Sequence, residues 1–129
     1  MPLRVERIEW MPSPPLVPDL EPIDDAHLYK MTLGDPALER EVLLLFTAQA
    51  ASLMALLASW PPDAAALAHT LKGSARAIGA FGVADAAAAV EDALSRNDDA
   101  AEPLMVLEAA VEHVRAVIDA RAKPAGSGF

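Results

Sequence analysis

PPDAAALAHTLKGSARAIGAFG, residues 61–82, is the stretch on which the fold turns. Proline inside a helix costs about 3 kcal/mol, and alanine is the strongest helix former. Two prolines at the start, glycines at 79 and 82, and an alanine-rich interval between them predict one helix, with Asp63 as its N-cap and Gly79 at its stop. At about 100° per residue, Leu67, Leu71, Ser74 and Ile78 share a face flanked by Ala64 and Ala75, and that face is the core side. His69 points the opposite way, toward solvent, among Ala65, Ala66, Lys72, Gly73 and Arg76.

The same punctuation organises the rest of the chain. Upstream, Asp24 or Asp25 caps a short helix to about Thr32, and Gly34-Asp35-Pro36 supplies a stop, a cap and a proline at the first helical position. A helix then runs from Pro36 to about Ser59, with Leu38, Val42, Leu45, Phe46, Leu53, Leu56 and Leu57 as its apolar stripe. Downstream, Val83 to Arg96 carries Val83, Ala87, Val90 and Leu94 on one side. A last helix from Glu102-Pro103 to Ala122 turns Leu104, Leu107, Val111, Val114 and Ile118 inward. Four amphipathic helices with short connections predict an all-α, up-and-down four-helix bundle over residues 24–122, with the short additional N-terminal helix across one end. Residues 1–23 carry six of the 11 prolines and read as a flexible Pro-rich arm, and residues 123–129 as a flexible tail.

Composition narrows the function. A chain of 129 residues holds one domain, and 28 alanines indicate closely packed helices. The absence of cysteine excludes a disulfide framework and a thiolate metal site. A net charge of −9 argues against nucleic acid, whose affinity comes from clustered Lys and Arg. The N-terminus lacks a signal-peptide pattern, and the apolar runs are read as shorter than the roughly 20 residues of a membrane span, so a cytoplasmic protein with no membrane partner is expected. His27 and His113 have no second ligand at metal spacing, so no metal site is expected; Met31, Met54 and Met105 read as core filling. Gln49 interrupts the second helix's stripe, and either faces the third helix near His69 or is a polar residue at the bundle's end.

The chemistry gathers at His69. Lys72 and Arg76 are the only basic residues between Arg40 and Arg96, and both lie on the histidine's face. Gly73 costs a helix about 1 kcal/mol relative to alanine, in a chain that uses alanine almost everywhere else, so something favours the missing side chain. Ala65 and Ala66 keep the other side low, which leaves the imidazole open to another surface. No Asp or Glu on this helix lies within a turn of His69 on its face, and no Ser or Cys nucleophile faces it, which argues against a serine-hydrolase type of site. An exposed imidazole that reacts by itself, beside cations suited to a dianion, points to phosphoryl.

His69-Thr70-Leu71-Lys72-Gly73-Ser74 with Gly79 resembles the H-x-[LIVK]-K-G-x…G signature of the histidine-containing phosphotransfer (HPt) domain of bacterial multistep phosphorelays. The similarity extends over most of Asp24 to Ala122, and GDPALEREVLLLFTAQ looks like the family's second helix. The resemblance implies that His69 accepts a phosphoryl group from a receiver-domain aspartate and passes it to another receiver. It implies that Lys72 pairs with the phosphoryl oxygens, that Gly73 leaves room for them and for the receiver loops, and that Gly79 lets the chain turn; Arg76, on the same face, is read from its position as a second supporting cation. It implies response-regulator receiver domains and a hybrid histidine kinase as partners, docking on the His69 face with Ala65, Ala66 and the exposed side of the second helix. It further implies no cofactor of the chain's own, with Mg²⁺ on the receiver, and a monomeric phosphocarrier rather than an enzyme. In several members a polar residue on the next helix bonds the imidazole. Its equivalent by spacing is Glu91, a carboxylate where glutamine is common, which would orient the ring and repel the phosphoryl group. Two other readings stand beside this one: the phosphoacceptor segment of a histidine kinase, and a docking module that no longer relays phosphate.

Overall fold

In the computed structural model, which describes residues 22–122, the chain forms five helices: α1 (Asp25–Met31), α2 (Pro36–Leu57), α3 (Ala64–Ile78), α4 (Phe81–Ser95) and α5 (Ala101–Ala122). Packing is carried by the sequential pairs α2–α3, α3–α4 and α4–α5 and closed by α2–α5, while α1 leans on α3. This is the expected up-and-down four-helix bundle with a short helix across one end. The segments 1–21 and 123–129, which take in most of the expected arm and all of the tail, lie outside the described residues. Ile23, assigned to the arm by its proline-rich neighbours, is instead 1% exposed and belongs to the core.

Local chemistry sets the helix ends. The Asp24 side chain accepts from His27 N at 3.1 Å, and Asp35 Oδ1 accepts from Ala37 N at 2.9 Å, with Pro36 behind it at the first helical position. Asp63 occupies the N-cap position of α3 but makes no side-chain capping bond. Gly79 ends α3 in the left-handed region at φ 84°, and its carbonyl accepts from Asp24 N at 2.8 Å. α4 begins at Phe81, two residues earlier than expected, because Gly79 alone makes the turn and Gly82 lies inside the helix.

The core departs from the expected stripes in an instructive way. On α5 the five inward residues are those predicted. On α2 the buried row is Leu43, Phe46, Ala50, Leu53 and Leu57, a strict alternation of threes and fours, whereas Leu45 and Leu56 are 63% and 51% exposed. Bulk misled the reading: small Ala50 holds a core position that a stripe chosen for its leucines passes over. On α3 the buried row is Ala64, Ala68, Leu71, Ala75 and Ile78, so Leu67 and Ser74 sit at its edge. Met31 and Met105 are exposed rather than core, and only Met54 packs against it. α2 has the length and mean hydropathy, 1.4, of a helix that could cross a membrane, contrary to the sequence reading, yet it contributes its buried row to the bundle.

Candidate functional site

His69 lies in the second turn of α3 with its side chain 65% exposed. Its ring meets α4: Nδ1 lies 3.0 Å from Glu91 Oε2. Lys72, one turn along α3, donates from Nζ to the other carboxylate oxygen, Glu91 Oε1, at 2.8 Å. One carboxylate on α4 thus holds both His69 and Lys72 of α3. The close approach of the two helices makes this reach possible, because the surfaces between them are alanine: Ala68 and Ala75 on α3, with Ala84 and Ala87 on α4, are essentially sealed from solvent.

The bond from Lys72 holds the Glu91 carboxyl below the ordinary carboxylate value, with the His69 bond acting in the same direction and partial burial opposing both. An ionised carboxylate only accepts hydrogen bonds. Nδ1 of His69 therefore donates, and in the neutral ring the lone pair is left on Nε2, the nitrogen away from Glu91. The tautomer that exposes a nucleophilic nitrogen follows from the position of one glutamate.

Around the imidazole the surface is low. Ala66, Thr70 and Gly73 are exposed, Ala65 is half-buried, and a Cβ built on Gly73 meets nothing within 4 Å. The fold does not need a glycine here. Gly73→Ala should accordingly raise thermal stability by about 0.5–1 kcal/mol, the helix-propensity difference, whereas Gly73→Leu should leave the fold intact and block phosphoryl transfer. Equal transfer rates for Gly73→Leu and wild type, in a stopped-flow assay, would assign the glycine to something else.

The two cations expected side by side are differently placed. Lys72 is largely covered and bound to Glu91, which balances its charge; Arg76 is exposed two turns along the same face from His69 and makes no ion pair with another described residue. Gln49 lies in a groove between α2 and α3 with Ser74 and Ala77 and makes no hydrogen bond to His69. By helical angle that groove is on the flank of α3 opposite Glu91. His113 is exposed, while His27 is half-buried edge-on to Phe81 at 5.3 Å. No group of residues suited to a metal ion is found among the described residues. Sequence reading did not foresee that Lys72 and Glu91 would pair, since 19 positions separate them. Nor did it foresee that Leu45 and Leu56 of α2, and Trp60 in the connection after it, are exposed, because the apolar pattern of α2 does not by itself say which leucines its neighbours cover.

The site is thus an outward histidine on one helix of the bundle, bonded from the neighbouring helix. The family model for the Hpt domain matches residues 41–120, the whole of α3 and α4 with most of α2 and α5, and the chain belongs to that family. Hpt domains are phosphocarriers of two-component signalling rather than catalysts. No curated protein and no solved structure matches the chain.

Proposed function

We propose that this chain is a phosphorelay intermediate in which His69 accepts a phosphoryl group from the aspartyl phosphate of one receiver domain and delivers it to the aspartate of another. The observation that carries the reading is the Glu91–His69 bond, which leaves Nε2 free at the protein surface beside the gap over Gly73. In the forward step the Nε2 lone pair attacks phosphorus in line, the bond from phosphorus to the aspartate oxygen breaks, and its electron pair returns to that carboxylate. The ring keeps its Nδ1 proton and becomes cationic, and Glu91 offsets that charge. Phosphoryl transfer of this kind is mostly positioning and charge stabilisation, and the metal that assists it belongs to the receiver.

Lys72 anchors Glu91 in the unloaded state and is the nearest identified cation for the phosphoryl oxygens once they arrive. Arg76 extends the positive charge along the same face. The receiver docks over Ala66, Thr70 and Gly73 and the exposed side of α2, and the carrier acts as a cytoplasmic monomer. A hybrid histidine kinase supplies the first receiver.

The reading is tested by mixing the protein with a ³²P-labelled receiver. Label that moves to the chain, is lost in acid, survives in base and maps to His69 supports it; acid-stable label sinks it. Glu91 is a positioning residue here, and its substitution is graded. Glu91→Gln retains an acceptor for Nδ1 and should transfer at a rate close to wild type, whereas Glu91→Ala should be slower. Equal rates for the two variants would remove the orienting role.

The pH dependence of stability follows from the same carboxylate. Its folded pKa is depressed, so its contribution is fully present above the unfolded value of about 4.3 and is lost as pH falls through the lower folded value. Thermal melts of wild type and Glu91→Gln should therefore differ at pH 7 and converge in acid. A difference that stays constant down to low pH would contradict the ionised pair.

A further inference from the structure

Attachment of a phosphoryl group at Nε2 leaves the opposite edge of the His69 ring in place, so Nδ1 stays against Glu91 Oε2, 3.0 Å away. The ring is then cationic, and the proton on Nδ1 is its only nitrogen-bound proton. That proton decides what the ring can do next. With it, the ring leaves phosphorus as neutral imidazole; without it, the ring must leave as an imidazolate anion, a far poorer leaving group. An ionised carboxylate only accepts hydrogen bonds, so Glu91 supports the protonated ring and repels the lone pair that deprotonation would turn toward it. A carboxamide in the same place could present its NH₂ to that lone pair and so support either form.

We propose that Glu91 keeps phosphorylated His69 in its donating form: the carboxylate holds the proton on Nδ1 of the loaded ring, so that donation persists at pH values where an uncharged residue at position 91 would let it fade. The inference rests on the phosphorelay reading of His69. In the donating step an aspartate oxygen of the receiver attacks phosphorus, the bond from Nε2 to phosphorus breaks and its electron pair returns to Nε2. Nδ1 keeps its proton, the ring becomes neutral again, and the receiver carries an acyl phosphate. No proton has to arrive or leave during transfer. Lys72, 2.8 Å from the other oxygen of the carboxylate, keeps Glu91 ionised for this task. The Glu91 side chain is only 26% exposed, so its charge is screened less than that of an open surface group.

When Lys72 turns to the phosphoryl oxygens, the imidazolium takes its place as the charge partner of Glu91, and the carboxylate is not left without a cation. The other charged groups described beside the ring are Arg76, exposed on α3, and Asp85 and Asp92 of α4, which line a groove with Lys72 and Glu91; Asp92 is paired with Arg96. From the other side α2 faces α3 with the uncharged Val42, Leu45, Phe46 and Gln49. All of these stay the same when residue 91 alone is changed, so substitution there isolates the one carboxylate in contact with the ring.

Phosphoramidate, a small N–P donor, loads the histidine without a receiver: the Nε2 lone pair attacks phosphorus and ammonia departs with the electron pair of the broken N–P bond. In the full chain loaded in this way, imidazole ¹⁵N resonances followed between about pH 5 and 9 report the Nδ1 proton directly. Release of inorganic phosphate to water over the same range reports the ring as a leaving group. In wild type, loss of the proton and the fall in release are both expected at least about one pH unit above those of Glu91→Gln, because an opposite charge in contact moves a titration by about one to three pH units. Glu91→Ala should follow Glu91→Gln, and His113, exposed on α5, should behave alike in all three proteins. Coincident or reversed profiles at His69 would overturn the proposal. So would displacement of Glu91→Ala alone, with Glu91→Gln still matching wild type, because the hydrogen bond and not the charge would then be responsible. Failure of His69 to load at all sinks the phosphorelay reading as well, whereas loading followed by coincident profiles sinks this inference alone.

Discussion

A chain carrying His69→Gln is expected to take up no phosphoryl group at all from a phosphorylated receiver while unfolding almost as the wild type does. The side chain is 65% exposed and its one bond runs to Glu91, which remains held by Lys72, so the stability change should stay within about 0.5 kcal/mol. The loss of function is complete because an amide nitrogen, unlike Nε2 of a neutral imidazole, has no available lone pair with which to attack phosphorus. Acid-labile label on gels and calorimetric melts on the same preparations check both halves. Residual acid-labile label on the variant would place the acceptor elsewhere, with His27 and His113 the histidines left.

The second large effect is structural and falls on Gly79. This residue sits at φ 84°, and a Cβ placed there meets the Asp24 carbonyl oxygen at 2.8 Å. Alanine in the left-handed region costs about 1–2 kcal/mol by itself. The contact is with backbone that is already committed to a hydrogen bond with Gly79, so it cannot be relieved by a rotamer change. Gly79→Ala should destabilise the bundle by about 2–4 kcal/mol in total, a large share of the 5–15 kcal/mol of a typical domain. At several degrees per kcal/mol for a domain of this size, the melting temperature should fall by about 10 °C or more. Gly82→Ala is the control: its Cβ meets nothing within 4 Å, and within α4 alanine should be neutral or stabilising. If the two variants melt alike, the left-handed turn is not what makes Gly79 a glycine.

These two residues illustrate what could be read from the sequence. Gly79 was legible because glycine after an amphipathic run has few other uses, and His69 because its own helix turns it away from Leu71 and Ile78. Both conclusions need only one helix. Glu91 could be placed by spacing, but its bond to Lys72 could not, since that depends on how near α4 comes to α3 and on which rotamers meet there. The α2 stripe failed for a related reason. Leucine occurs on both the buried and the exposed side of that helix, so hydrophobicity alone cannot distinguish Leu45 from Leu43, and the choice is made by neighbouring helices. Arg76 and Lys72 were grouped by angle on one helix, whereas tertiary structure separated them by giving only Lys72 a partner from α4.

The alanine contact between α3 and α4 also sets a tolerance. Ala68, Ala75, Ala84 and Ala87 are buried, and across that seam Glu91 meets His69 at 3.0 Å and Lys72 at 2.8 Å. Hydrogen bonds of this kind keep donor–acceptor distances of about 2.7–3.2 Å and depend on a near-linear approach. A single added methyl group in that seam, as in Ala75→Val, would push the helix axes apart by a fraction of an ångström, enough to loosen a carboxylate that must reach two donors at once. Signalling competence in this bundle is therefore calibrated from beneath the surface, and variants altered only in their hidden alanines should show detuned transfer while every residue a receiver can touch is unchanged.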